Sequence, residues 1–183
     1  MTHLLTISGS LRAGSSNAAL LAAAGRVAPA GVVVSPYDAL AALPAFSPDL
    51  DERVGPPPNA VAHWRAALVA ADAILISSPE YAHGIPGVLK NALDWVVGSG
   101  ELVGKRVGLL SASAASHFAH PQLVEVLTVM SATVVPEASL VLDIPRRGVD
   151  GEQLASDPAL ARALQAVVVA LIVMPADATA VQR

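Results

Sequence analysis

Residues 7–21 read "ISGSLRAGSSNAALL", and this stretch decides the fold. An apolar run closes at Gly9. Ser10, Arg12, Gly14, Ser15, Ser16 and Asn17 follow, and then alanine and leucine take over. The pattern is a strand that ends in a polar turn and reopens as a helix. A helix start carries unpaired N–H groups and the positive end of a dipole, so it stabilises an anion. Ser10, Ser15, Ser16 and Asn17 add donors, and Arg12 adds a fixed charge whose planar fork fits phosphate. Gly9 and Gly14 permit close approach or positive φ. A capped helix behind a glycine turn accounts for Ser15 or Ser16, but not for Ser10 and Arg12 in the same turn. The stretch therefore reads as a phosphate site. It is neither a Rossmann fingerprint, because the glycine spacing differs, nor a Walker loop, because no Lys-Ser or Lys-Thr pair follows. The glycine-rich "GSGELVGKRV" at 98–107 precedes a strand and reads as a turn.

Working outward, "HLLTIS" (3–8) reads as the first strand. A helix follows over 16–27, ended by Pro29 and Gly31. "GVVVSPY" (31–37) is a second, β-branched strand. Residues 38–58 form a long Pro-rich connection and so a functional-loop candidate. In "NAVAHWRAALVAAD" (59–72), Val61, Trp64, Leu68 and Ala71 recur at helical spacing. "AILIS" (73–77) is a third strand. "GVLKNALDWVVGSG" (87–100) is a helix that stops at Gly98 and Gly100. "RVGLLS" (106–111) is a fourth strand, "PQLVEVLTVMSA" (121–132) a helix, and "TVVPEASLVL" (133–142) a fifth strand interrupted at Pro136. "DPALARAL" (157–164) opens the last helix, with Asp157 at the N-cap and Pro158 at the first helical position.

Strands and helices thus alternate five times. The strands are continuous apolar runs, which predicts an α/β fold with a parallel sheet covered by helices on both faces. Five strands leave two doubly wound orders open. The order 2-1-3-4-5 puts its switch point between the first and third strands, and ligands bind there beyond the strands' carboxyl ends. The loops after Ser8 and Ser77 should meet at that point.

Composition narrows the function. A chain of 183 residues suits a single domain over 1–183 with a substantial core. Hydrophobic residues make up 54% and charged residues 14%, so part of the Ala- and Val-rich surface is expected to be buried between subunits. A net charge of −4 has the wrong sign for a nucleic-acid partner. The absence of cysteine removes disulfides, thiolate metal sites and a thiol nucleophile, and fits a reducing, cytoplasmic compartment. "MTHLLTISGS" has no basic n-region and does not read as a signal peptide. The apolar window "ALQAVVVALIVM" (163–174) is too short to span a bilayer and reads as buried or interfacial.

The loop after the third strand is "SSPEYAHGIPG" (77–87). Pro79 and Pro86 stiffen the backbone on either side of it. A rigid loop with exposed N–H and C=O groups suits the polar edge of a planar ring, with Tyr81 and His83 flanking the ring or pointing into the cleft. Glu80 has no second carboxylate nearby, which gives little support to acid–base work. His83 reads as a surface residue and not a metal ligand. His117 and His120 lack the carboxylate or cysteine spacing of a metal site. Lys90 and Asp94 stand four apart and predict an ion pair on one helix. Trp95 reads as core or interface.

With both loops in hand, the chain resembles the NADPH-dependent FMN reductase family, of flavodoxin-like fold. The residues that carry the likeness are "GSLRAGSSN" (9–17) and "PEYAHGIPGVLKNALDW" (79–95), with "LPAFSPDLD" (43–51) and "AADAILISSPEY" (70–81) in matching order. It runs from about residue 3 to 113 and more faintly to 145. The resemblance implies FMN in the cleft. Its 5′-phosphate falls to Ser10, Arg12, Ser15, Ser16 and Asn17. Its ring falls to Pro79, Glu80, Tyr81, Ala82, His83 and Gly84, with Ser113 after the fourth strand. It also implies NAD(P)H as co-substrate, with hydride passing to the flavin N5. Electrons would then go to a small-molecule acceptor: a flavin, a quinone, an azo compound or a metal oxyanion. Protein acid, base, nucleophile or metal is not required. A homodimer or homotetramer is implied, without nucleic acid or a membrane span. Two departures stand out. "AHG" replaces the Asn-X-Ser that many members carry after "PEY", which touches side-chain bonds to the ring and leaves backbone contacts available. "SASAASHFAHPQL" (111–123) has alanines where glycines are common and lacks the usual downstream arginine. The alternative reading is a flavodoxin-like electron carrier or FMN-binding module without enzymatic activity. A carrier calls for a strongly acidic surface, which a charge of −4 does not supply.

Overall fold

In the computed structural model, which describes residues 1–51, 55–145 and 148–173, β3 (Ala73–Ser77) is buried at every position. Ile74 and Ile76 face one side of the sheet, Ala73 and Leu75 the other. A continuous apolar run is the signature of a strand covered on both faces. The sheet order is β2 (Val32–Tyr37), β1 (Thr2–Ser8), β3, β4 (Arg106–Ser111), β5 (Thr133–Val134), all parallel. This is the expected 2-1-3-4-5 order. The fifth lane is split in two. Thr133 and Val134 pair with Arg106 and Val107, a 3-10 turn intervenes at Pro136–Ala138, and β6 (Leu140–Val141) pairs with Leu110 and Ser111. Pro136 has no N–H to give a ladder, so the lane breaks where it stands.

Helices α2 (Asn59–Ala70), α3 (Gly87–Asp94) and α4 (Ala119–Val129) cover one face. There Trp64, Leu89, Trp95, Leu123 and Leu127 pack over Leu5, Ile7, Ile74, Ile76 and Leu109. Helices α1 (Ser16–Arg26), α5 (Gly151–Ser156) and α6 (Pro158–Ile172) cover the other face. Leu20, Ala23, Leu164, Val168 and Leu171 meet Leu4, Leu75 and Leu110 there. Each fully buried Leu or Ile contributes about 1.5–3 kcal/mol relative to exposure. Trp95 is core, and its indole N–H donates to the Pro44 carbonyl at 2.8 Å. Asp157 caps α6 as expected, accepting from the Ala159 and Leu160 N–H groups. Helix α5 was not anticipated. Its signal is the spacing Asp150 to Gln153, a capping box in which each side chain satisfies the other's backbone N–H.

The described part of the 38–58 connection does not reach the cleft and is tied to α3 instead. Asn91 accepts from the Phe46 N–H at 2.8 Å and donates to the Pro44 carbonyl at 2.9 Å. Buried Arg65 pairs with Asp51 at 2.7 Å and donates to the Trp95 carbonyl. Residues 52–54 of that connection, and Met174 of the apolar window, lie outside the described residues. Lys90 and Asp94 form the expected ion pair at 2.6 Å. Among the described residues no helix is long and apolar enough to cross a membrane.

Candidate functional site

Three loops leave the carboxyl ends of β1, β3 and β4 and enclose a cleft of about 370 Å³, within the range of small-molecule and cofactor sites. Its walls include Ser10, Arg12, Ser15, Ser16 and Asn17 from the first loop. The second loop adds Pro79, Glu80 and Tyr81, and the third adds Ser113. Nine of the residues singled out in the sequence therefore meet at one place. Ala82, His83 and Gly84 do not line the cleft; they form a turn beside it. Five lining residues were not named from sequence: Ser78, Ser111, Ala112, Ala115 and Ser116. Their signal is "SASAAS", a run of small hydroxyl residues after β4 that echoes the run after β1.

The first loop approaches the second through Gly9. A Cβ there would stand 2.8 Å from the Ser78 hydroxyl and 3.2 Å from a Leu89 methyl. Gly14 turns the chain at φ +65°, a conformation open to glycine without steric cost. Ser15 occupies the N-cap of α1, but its side chain caps no helix N–H. The Ser16 hydroxyl donates to the Pro145 carbonyl at 2.9 Å. The Asn17 carbonyl oxygen accepts from Ser77 at 2.9 Å, which orients the amide and leaves its NH2 as the group able to donate. Arg12 donates to the Gly14 carbonyl at 3.5 Å. A helix N-terminus without a side-chain cap, ringed by hydroxyls, an amide and a guanidinium, offers the donor chemistry that suits an anion such as a phosphate monoester.

The second loop is a tight hairpin. Tyr81 and Gly84 exchange both backbone hydrogen bonds, at 2.9 and 3.0 Å. Its two central residues, Ala82 and His83, sit at φ +49° and +59°. Side chains other than glycine pay about 1–2 kcal/mol each in this left-handed region. Tyr81 stays 55% exposed at the cleft wall. From the cleft wall, the Glu80 carboxylate reaches the start of α4. One of its oxygens accepts from the Phe118 N–H at 2.6 Å, the Ala119 N–H at 2.9 Å and the Ser116 hydroxyl at 3.4 Å. The Ala119 and Phe118 N–H groups hold this carboxyl below the ordinary carboxylate range. The Ser116 hydroxyl and nearby His83 add smaller effects in the same direction, against partial burial. Glu80 is therefore a charged helix cap, unsuited to proton transfer near neutral pH. The third loop is held by its own hydroxyls: Ser111 donates to the Ser113 carbonyl at 3.0 Å, and the Ser113 hydroxyl accepts from the Ala115 N–H at 3.3 Å.

The model of one family, described as NADPH-dependent FMN reductase, matches residues 2–145. The chain belongs to the NADPH-dependent FMN reductase family. An NAD(P)H-dependent FMN reductase of Pseudomonas aeruginosa is 42% identical over 113 residues, 61% of this chain and 60% of that protein. The quinone reductase of Escherichia coli K12 is 34% identical over 94 residues, 51% of this chain and 50% of that one. The aligned regions thus span about half to three-fifths of these relatives' length. FerB of Paracoccus denitrificans, a flavoenzyme NAD(P)H:(acceptor) oxidoreductase, superposes with a TM-score of 0.71. That match covers 93% of this chain and 95% of FerB at 24% identity, a likeness of fold.

Proposed function

We propose that the chain is an FMN-dependent NAD(P)H oxidoreductase. The observation that carries this reading is the cleft itself. An anion-binding helix start and a rigid hairpin with exposed backbone groups face each other across the sheet's switch point, in a member of this family. Ser10, Arg12, Ser15, Asn17 and the N–H groups at the start of α1 hold the 5′-phosphate. Pro79, Tyr81 and the backbone of the third loop at Ser113 border the ring. Bound FMN supplies two-electron redox chemistry between NAD(P)H and a second substrate. The protein's part is to bind, orient and shield. Arg12 neutralises phosphate charge, Asn17 is locked by Ser77, and Tyr81 bounds the volume open to an acceptor. A flavin, quinone, azo compound or metal oxyanion is the acceptor class. The reading includes self-association as a homodimer or homotetramer, supported by exposed Tyr81 and Phe118 beside the cleft, and a cytoplasmic setting, supported by the absence of cysteine.

Titrating the purified protein with FMN and following flavin fluorescence tests the cofactor. NADPH oxidation with and without menadione then tests turnover. Saturable FMN binding with menadione-dependent oxidation is expected. FMN uptake without turnover on any acceptor would favour an electron carrier, and no uptake at all would sink the reading.

A further inference from the structure

The Tyr81–Gly84 hairpin is held in an unfavourable form, and the ties that hold it come from the start of α4 and the residues just before it. The Glu80 carboxylate takes the Phe118 and Ala119 N–H groups and the Ser116 hydroxyl. The His83 ring stacks on Phe118 with centroids 4.2 Å apart and planes 26° from parallel. The Ile85 N–H donates to the Gln122 side-chain oxygen at 2.8 Å. These ties flank Ala82 and His83, the two residues at positive φ. Strained backbone persists only where its surroundings over-determine it. The strongest tie is the charged one, because an ionised acceptor with two backbone donors outweighs a stack or a neutral bond.

We propose that Glu80 is a latch that keeps the hairpin in its strained form and is thereby a positioning residue for Tyr81 at the cleft. The carboxylate's hydrogen-bond partners are Ser116, Phe118 and Ala119, none of them in the first loop. It acts by fastening the second loop to the third loop and to α4, so the wall carrying Tyr81 and the wall carrying Ser113 keep a fixed separation. Its lowered protonation range keeps the latch charged throughout the neutral region. The role in acceptor handling rests on the flavoenzyme reading; the latch does not.

Three variants test it: Glu80→Ala, Glu80→Gln, and Glu80→Ala combined with Ala82→Gly. The first readout is amide hydrogen exchange of residues 81–85 and 116–122 in flavin-free protein, which judges the latch whatever the cofactor. Glu80→Ala should speed exchange in both segments by about tenfold or more, the size expected for losing charged hydrogen bonds. Glu80→Gln keeps an acceptor oxygen and should lie between. Ala82→Gly should restore protection of 81–85 in the Glu80→Ala background, because glycine adopts positive φ without the latch. The second readout is the KM for menadione in FMN-loaded protein. It should rise several-fold in Glu80→Ala with kcat little changed, and return towards normal in the double variant. Unchanged exchange in both Glu80→Ala and Glu80→Gln would overturn the latch. Altered exchange with an unchanged menadione KM would overturn the positioning role. Wild-type protein that takes up no FMN would instead count against the flavoenzyme reading and leave the exchange result standing.

Discussion

The two loops that face each other across the cleft are built in opposite ways. The first, residues 9–17, places glycine where the backbone must crowd or turn, at Gly9 and Gly14, and sets donors at Ser10, Arg12, Ser15, Ser16 and Asn17 along the cleft. The second, residues 78–86, places alanine and histidine where glycine would be comfortable, and depends on contacts from α4 to stay there. A loop that binds through its own N–H groups and hydroxyls needs a relaxed backbone at a helix start. A loop that serves as a wall needs fixed position, which remote ties supply. The first loop therefore carries its chemistry in residue types, and the second carries it in its neighbours.

The most damaging change should fall on the first loop's charge. Arg12→Ala is expected to weaken FMN binding roughly ten- to a hundredfold, the equivalent of about 1.5–3 kcal/mol for a charge-assisted contact. Flavin fluorescence titration measures this, and an unchanged affinity would remove Arg12 from the phosphate role. Gly9→Val breaks the contact between the loops. Its side chain would press on the Ser78 hydroxyl and Leu89, at a cost of about 1–3 kcal/mol read as a lower Tm together with weaker FMN binding.

A smaller effect contrasts the two backbones directly. Ala82→Gly relieves a left-handed alanine and should stabilise the protein by about 0.5–1 kcal/mol, after allowing for the extra freedom of glycine in the unfolded chain. Ala22→Gly, on α1 behind the first loop, should destabilise it by about 1 kcal/mol. Opposite signs in thermal unfolding would support the contrast; equal signs would break it. The mildest test is pH. Because the Glu80 carboxyl titrates below its unfolded value, its cap on α4 is fully present above the ordinary carboxylate range and lost as pH falls through the lowered folded value. Exchange protection at Phe118 and Ala119 should persist at pH 5 and fade only in stronger acid. Glu80→Gln should abolish that acid step.

The first-loop wall of the cleft was legible because its lining residues lie within the short stretch 10–17. What fastens the second loop was less so. Glu80 lines the cleft, but the Phe118 and Ala119 N–H groups it accepts from stand 38 and 39 residues further along the chain. The 38–58 connection reads as a functional loop from its length and prolines. Its described residues are secured by Arg65 of α2, Asn91 of α3 and Trp95 at the end of α3.

Short-range information was enough for the alternation of buried strands and helices, the cap at Asp157 and the polar turn before α1, and it left two sheet orders open, of which the structure has 2-1-3-4-5. Hydrophobic period and helix-end chemistry are properties of a few adjacent residues, and a parallel sheet with short connections admits few arrangements. The break of the fifth lane was likewise legible, at Pro136. Tertiary structure decided two things: the capture of Glu80 by the residues at the start of α4, and the holding of the strained turn at Ala82 and His83. In both cases the deciding groups are distant in sequence. A backbone conformation that is locally unfavourable is held only when such distant contacts outweigh its cost.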